Sequence, residues 1–181
     1  MIATVRTVET VALSPRDIAE IRSLLWRAFE QDGNGFSEED WEHGLGGVHA
    51  TAELDGRIVG HGSVVERRLV AAGRPLRTGY VEGVATEPGL EDRGIGSLVV
   101  SALGTHITTV FELGALSTGR PSFYERLGWR PWTGQTWVRT PDGDRPTPDD
   151  DGGILYLLTP ATPSLDDTAP LVCEWRPGDV W

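Results

Sequence analysis

Three strand-like runs follow one another with only turns between them. Val48–Leu54 and Arg57–Val70 are separated by Asp55-Gly56, a pair suited to the positive φ angles of a two-residue hairpin. Gly73-Arg74-Pro75 turns the chain again into Leu76–Ala85. Connections this short cannot hold a crossover helix, so the three strands must form an antiparallel meander. A doubly wound parallel sheet is excluded by the same argument.

The flanking segments read as helices and short strands. Residues 2–8 alternate weakly, as a strand does. Ser14-Pro15-Arg16-Asp17 opens a helix, with Ser14 as N-cap and Pro15 at the first helical position. Ile18, Ile21, Leu25 and Ala28 continue it at helical spacing, and Gly33-Asn34-Gly35 breaks it. Ser37-Glu38-Glu39-Asp40 opens a second helix as an approximate capping box, with Asp at its end in place of Glu. After the meander, Ile95, Leu98, Val99, Ala102 and Ile107 predict a third helix. Ala115–Ser117 predicts a short strand, and Phe123, Tyr124 and Leu127 lie on a short helix stopped by Gly128. Gly134–Thr140 and Ile154–Thr159 are closing strands joined by a loop of Pro, Asp and Gly. The expected fold class is mixed α/β, with a central, mostly antiparallel sheet flanked by helices. No repeat and no long linker interrupts the chain, so residues 1–181 are expected to form a single domain.

Charge narrows the partners. The 181 residues include 27 acids against 16 basic residues, all of them Arg, for a net charge of −11. Phosphate polymers and anionic membranes are poor partners for such a surface, whereas a cationic ligand is concentrated by it. Eight acids and no Arg fall between Ala28 and Gly56. Nine acids fall between Thr140 and Trp181, opposed only by Arg145 and Arg176. Acid runs are commonly solvated loops; with Trp nearby they could also line a groove for a polycation. Cys173 is the lone cysteine, so no intrachain disulfide forms. His43, His49, His61 and His106 show no metal-ligand spacing and read as structural histidines, so no metal is expected. No apolar run approaches the ~20 residues that span a bilayer. The first ten residues lack the pattern of a signal peptide. A cytoplasmic protein is expected.

Three segments could carry chemistry. Glu91-Asp92-Arg93-Gly94-Ile95-Gly96-Ser97 joins a strand to a helix. Glycines there permit close backbone approach, and the free N–H groups of a helix start can hold a phosphate; the plainer reading is a turn. It is neither a P-loop nor a GxGxxG motif. Tyr80-Val81-Glu82-Gly83-Val84-Ala85-Thr86 places Tyr80, Glu82 and Val84 on one strand face. A Glu in an apolar strand is costly unless it is paired, solvent-facing or functional, and Gly83 beside it suggests a bulge or a close approach. In Ser122-Phe123-Tyr124-Glu125-Arg126-Leu127-Gly128-Trp129, Tyr124 could be core packing or a proton donor.

The meander, the Gly-rich loop opening a helix and the later SFYERLGW segment resemble the GNAT fold of acetyl-CoA-dependent N-acetyltransferases. Five blocks in order resemble the aminoglycoside 2′-N-acetyltransferases: Trp41–Gly47, Gly79–Ala85, Leu113–Ser117, Thr147–Gly152 and Gly178–Trp181. The resemblance runs from about residue 14 to Trp181. It implies acetyl transfer from acetyl-CoA to the 2′-amine of a cationic aminoglycoside, a homodimer, and a role in antibiotic resistance. It implies that Val84, Ala85 and Thr86 hold the acetyl carbonyl and pantetheine through backbone groups. The pyrophosphate would be held by the loop Glu91, Asp92, Arg93, Gly94, Ile95 and Gly96, and the CoA sulfur would lie near Tyr124. Sugar contacts fall on Asp40, Glu82, Gly83, Ser117, Asp150, Asp179 and the Trp181 carboxylate. The family loop usually begins with Arg or Gln, then Gly; here Glu91 and Asp92 stand there, two acids beside an expected pyrophosphate.

The mechanism this implies gives Glu82 the role of general base and Tyr124 that of proton donor to the leaving thiolate. A free Glu at ~4.3 is a weak base, and burial or neighbouring acids would raise it. Two other readings compete: a GNAT enzyme for another polyamine or a protein N-terminus, and a non-catalytic module that sequesters cationic sugars.

Overall fold

The computed structural model describes residues 3–33 and 35–181. Met1, Ile2 and Asn34 lie outside the described residues, and with them the first residue of the expected strand at 2–8 and the centre of Gly33-Asn34-Gly35. The chain packs as two compact units. One takes in the described residues up to Val65 together with Val81–Thr105; the other is Glu66–Tyr80 with His106–Trp181.

In the first unit, β1 (Thr4–Glu9) precedes α1 (Pro15–Gln31) and α2 (Glu38–His43). Both expected caps form. Ser14 Oγ accepts the Asp17 N–H at 3.1 Å while Asp17 Oδ2 accepts the Ser14 N–H at 3.1 Å. Ser37 and Asp40 make the same reciprocal pair. A shorter Asp at the third helical position therefore closes a capping box as Glu does. The meander follows as β2 (Val48–Leu54), β3 (Arg57–Ala71) and β4 (Arg74–Thr86). β2 pairs antiparallel with both β1 and β3, with a register shift at Ala52/Glu53. Ile21, Leu24 and Leu25 of α1 pack with Leu13, Trp41, Ile58 and Ala85 in the core. Glu20 fixes this packing by accepting the Ile58 N–H at 3.0 Å.

α3 (Ile95–Val110) leaves the first unit at Thr105 and ends in the second, where β5 (Leu113–Ser117) follows. α4 (Pro121–Glu125), β6 (Arg130–Pro131), β7 (Thr136–Thr140), β8 (Gly143–Pro146), β9 (Ile154–Leu158) and β10 (Leu171–Glu174) complete the chain. The strand order in the second unit is β6-β9-β5-β4-β3-β10-β7-β8. Two of its ladders are parallel, β4 with β5 and β10 with β7; β3 with β10, β5 with β9, β6 with β9 and β7 with β8 are antiparallel. The expected mostly antiparallel sheet is what forms. The helix holding Phe123 and Tyr124 stops two residues before Leu127, which lies in the turn that Gly128 closes at φ +91. The loop expected between the closing strands contains β8 and a 3-10 turn at Pro148–Asp150.

Gly47 shows how tightly the loop after α2 is laid on the meander. A Cβ there would stand 1.9 Å from the Val64 carbonyl oxygen, a backbone atom that cannot swing aside. Gly47→Ala is expected to cost about 2–3 kcal/mol through overpacking, read as a fall in thermal midpoint. Gly56→Ser, at a hairpin position with open space around it, is expected to cost less.

Candidate active site

The expected site residues of the first unit converge on the end of β4. Glu82 is half-buried, and Gly83 beside it takes the left-handed φ of +55 within the strand. Gly44, at the C-terminus of α2, lies against both strands: a Cβ on it would be 3.0 Å from Ser63 Oγ and 3.9 Å from Glu82 Cβ. The Trp41–Gly47 block thus delivers the end of α2 to Glu82. Asp40 lies on the same helix, but its Oδ2 is committed to the cap, accepting the Ser37 N–H at 2.8 Å and hydroxyl at 2.9 Å. The parallel ladder of β4 with β5 pairs Thr78–Tyr80 with Leu113–Ala115. Residues 81–86 of β4, including Val84, Ala85 and Thr86, lie beyond that register.

The loop from Glu87 to Gly94 is shaped by three residues with positive φ: Gly89 at +84, Asp92 at +60 and Gly94 at +79. Its acids are turned onto the protein's own donors. Glu91 accepts the Gly89 N–H at 2.7 Å and the Gln31 amide at 3.3 Å, and Glu87 pairs with Arg27 at 2.6 Å. The first helical bond after the loop runs from the Leu98 N–H to the Gly94 carbonyl. The N–H groups of Ile95, Gly96 and Ser97 therefore have no acceptor within α3, and they mark the positive end of its dipole. A Cβ on Gly94 would meet nothing within 4 Å, so the backbone there faces open space. Arg93 is exposed next to these donors. The arrangement suits an anion gripped by main chain, with one guanidinium beside it. The hydrogen bonds of Glu91 fix the direction of its side chain but leave its charge in place, and Asp92 is exposed to solvent.

In the second unit four expected residues come together from distant parts of the chain. Ser117 pairs with Ile154, and the Thr118 N–H donates to the Gly153 carbonyl at 2.9 Å, which sets the end of β5 beside the Pro148–Asp150 turn. Asp151, not Asp150, locks that turn by accepting the Thr136 N–H at 2.7 Å and hydroxyl at 2.9 Å. Trp181 is 2% exposed; its indole N–H donates to Thr147 Oγ1 at 2.9 Å and its backbone N–H to Asp179 Oδ1 at 3.1 Å. Burial raises the Asp150 carboxyl above the usual aspartate range, and the nearby Asp179 raises it further. Two acids held this close favour a cation between them. Tyr124 is buried against Phe123 and Trp129, and burial pushes its phenol up to about 12.

Two arginines hold the last residues in place, and neither was singled out from the sequence. Arg67 donates to the Val180 carbonyl at 2.8 Å and to the Glu174 carbonyl at 3.1 Å. Arg176 donates to the Asp179 carbonyl at 2.7 Å and to the Trp181 main-chain oxygen at 3.2 Å. Arg176 was legible as one of only two cations in an acid-rich stretch. The buried pair His49 and His61 was read as merely structural; it forms a hydrogen-bonded chain to Gly83, described below. Among the described residues no group of three or more His, Cys, Asp or Glu could hold a metal ion, and no helix is long and apolar enough to cross a membrane. Cys173 is buried, and burial raises its thiol to about 11, which keeps it protonated at neutral pH.

This architecture is shared with solved acetyltransferases. The GNAT family N-acetyltransferase of Escherichia coli solved in complex with CoA superposes with a TM-score of 0.65 at 17% identity, over 94% of this chain and 89% of that one. The GCN5-related N-acetyltransferase of Kribbella flavida superposes with a TM-score of 0.57 at 17% identity over 73% of this chain; the match spans only 35% of that longer protein. The fold is the GNAT fold. The model of the acetyltransferase (GNAT) domain matches residues 10–132. The aminoglycoside 2′-N-acetyltransferase of Mycolicibacterium fortuitum is 41% identical over 183 residues, 98% of this chain and 92% of that protein. The chain belongs to the GNAT acetyltransferases and, within them, to the aminoglycoside 2′-N-acetyltransferase family.

The raised Asp150 carboxyl has a consequence for stability. A carboxylate whose folded value lies above its unfolded one destabilises the fold at higher pH and costs nothing once both states are protonated. Asp150→Asn is therefore expected to raise the thermal midpoint at pH 7, with the difference shrinking as the pH falls from the raised folded value to the ordinary aspartate value and gone below it. An equal gain at pH 3 and pH 7 would show that the carboxylate's charge is not the cause.

Proposed function

We propose that this protein transfers acetyl from acetyl-CoA to the 2′-amino group of an aminoglycoside, by direct attack in a ternary complex. The observation that carries the reading is the gathering of Ser117, Asp150, Asp179 and Trp181 in one neighbourhood of the second unit, in a chain 41% identical to an enzyme of that name. Carboxylates suit ammonium groups on a sugar, and the Trp181 carboxylate is counted with those of Asp150 and Asp179 in this reading. Asp40, Glu82 and Gly83 are the sugar contacts offered by the first unit in this reading. Residues 1–181 are taken as a single catalytic domain, cytoplasmic and homodimeric, whose activity would confer antibiotic resistance. Neither nucleic acid, membrane nor metal has a part in it.

The residues present fit acetyl-CoA. The N–H groups of Ile95, Gly96 and Ser97, the open backbone at Gly94 and the Arg93 guanidinium would hold the pyrophosphate. The backbone of Val84, Ala85 and Thr86, past the last β4–β5 pair, would hold the pantetheine. When bound, acetyl-CoA supplies the acetyl group and a thiolate that leaves. Glu82 takes the proton of the substrate ammonium through a bridging water. The Val84 N–H donates to the acyl oxygen. Tyr124 keeps its hydroxyl proton across the working pH range and points that donor at the sulfur. Cys173 remains a thiol and takes no part, so no acyl-enzyme forms.

Thiol release should be seen with aminoglycosides carrying a 2′-amine and not with those carrying a 2′-hydroxyl. Release with spermidine or a peptide N-terminus instead would favour the wider GNAT reading, and binding without release would favour sequestration. Glu82→Gln is expected to lower turnover about 10²-fold and to remove its acid limb, since general-base catalysis contributes roughly that much. Tyr124→Phe is expected to lower kcat, and the wild-type profile should show no alkaline limb from this phenol up to pH 10.

A further inference from the structure

A chain of buried hydrogen bonds runs through the first unit and ends on the peptide that follows Gly83. The Gly83 carbonyl oxygen lies 2.8 Å from His61 Nδ1. His61 Nε2 lies 2.9 Å from His49 Nδ1, and His49 Nε2 lies 2.8 Å from Thr10 Oγ1. Thr10 Oγ1 in turn accepts the Gly46 N–H at 3.0 Å. His49 is fully buried and His61 2% exposed.

The direction of every proton follows from one fixed end. A carbonyl can only accept, so His61 carries hydrogen on Nδ1. Burial pulls His61 down to about 3 and His49 to about 4, so both rings are neutral at working pH. A neutral His61 with Nδ1–H has a bare Nε2, so His49 must donate from its own Nδ1. His49 Nε2 is then bare and must accept the Thr10 hydroxyl proton. Thr10 has one proton, and the His49 contact at 2.8 Å is shorter than the alternative to the Gly47 carbonyl at 3.2 Å. Both rings are assigned to the Nδ1–H tautomer, and all the donors point towards Gly83.

The Gly83–Val84 peptide is trans, as are all the described peptides. A trans peptide is planar, with its N–H directed opposite to its C=O. Holding the Gly83 oxygen on the His61 side therefore turns the Val84 N–H to the other side. Gly83 itself, at φ +55 with a Cβ position 3.8 Å from the His61 ring, has little intrinsic preference that would fix this plane. We propose that His61, backed by His49 and Thr10, is a positioning residue that clamps the Gly83–Val84 peptide so that the Val84 N–H is aimed at the acyl oxygen. This rests on the role given to the Val84 N–H above.

Two measurements test it, one independent of turnover. Nitrogen-15 NMR of the histidine rings in the ligand-free protein should show His61 and His49 both neutral and both protonated at Nδ1. An Nε2–H tautomer at either ring overturns the relay. The Val84 amide resonance should move in His49→Leu, although His49 does not touch Gly83; an unmoved resonance also overturns it. In kinetics, His61→Leu should lower kcat about 10²-fold, as expected when an acyl-oxygen donor is lost, with KM for acetyl-CoA and amine unchanged. His61→Asn, which keeps a donor near the Nδ1 position, should recover most of that loss. Wild-type kcat in His61→Leu, a rise in KM alone, or no recovery with Asn would refute the clamp. If His61→Leu does not fold, His49→Leu carries the kinetic test, with a smaller fall in kcat and the same unchanged KM. If the wild-type protein acetylates no aminoglycoside, the function proposed above fails, while the tautomers and the Val84 resonance still decide whether the clamp exists.

Discussion

The Gly83 carbonyl accepts from a buried imidazole, and a line of buried polar groups in the first unit depends on that bond. An unpaired buried carbonyl is costly. His61 removes the cost, but a buried imidazole has a second nitrogen that also needs a partner. His49 supplies it, and the same requirement passes to Thr10 at the end of β1 and to the Gly46 N–H beyond α2. Each buried polar group is admitted because the next satisfies it. Gly83 in β4 and the chain after α2 are linked by this line of bonds.

The charge excess divides in a way the composition does not show. Many acids sit in ordinary pairs with arginine: Glu53 and Asp17 with Arg6, Glu38 with Arg22, Glu87 with Arg27, Glu66 with Arg77 and Asp144 with Arg139. Exposed pairs of this kind contribute little to stability. The informative acid is Asp150, whose carboxyl is raised first by burial and then by the nearby Asp179. Arg67 and Arg176 stand close to this region, yet they donate to main-chain oxygens of the last residues. They order the segment that carries Asp179 and Trp181 while leaving the Asp179 side chain to the Trp181 N–H.

The meander, both capping boxes and the strand–loop–helix junction were legible because each rests on local rules: hairpin residues, N-caps and periodicity. β2 begins and ends where the residues predict. What was missed depends on partners distant in sequence. β10 is four residues long and becomes a strand only by pairing with β3 and β7. β8 exists as the return of β7, and its Gly-Asp-Arg-Pro sequence has no strand propensity of its own. The site was legible as a set of positions because the resemblance supplied them; their roles as bonded groups were not. Asp151 proves to be a turn lock and Glu91 a loop anchor, while for Asp40 the capping bond was the one role that local rules did predict. The histidines were invisible as a pair, since 49 and 61 become neighbours only through the β2–β3 register.

Burial of Tyr124 limits what it can do. A phenol raised to about 12 faces a leaving thiolate whose thiol would ordinarily titrate near ~8.5. Full proton transfer between them is uphill by about 3 pKa units, on the order of 4–5 kcal/mol. The same burial removes competing water and strengthens any hydrogen bond the hydroxyl makes to developing negative charge. In the mechanism proposed above, Tyr124 is therefore a hydrogen-bond donor to the sulfur and not a full acid, and the thiolate takes its proton from solvent after the bond has broken.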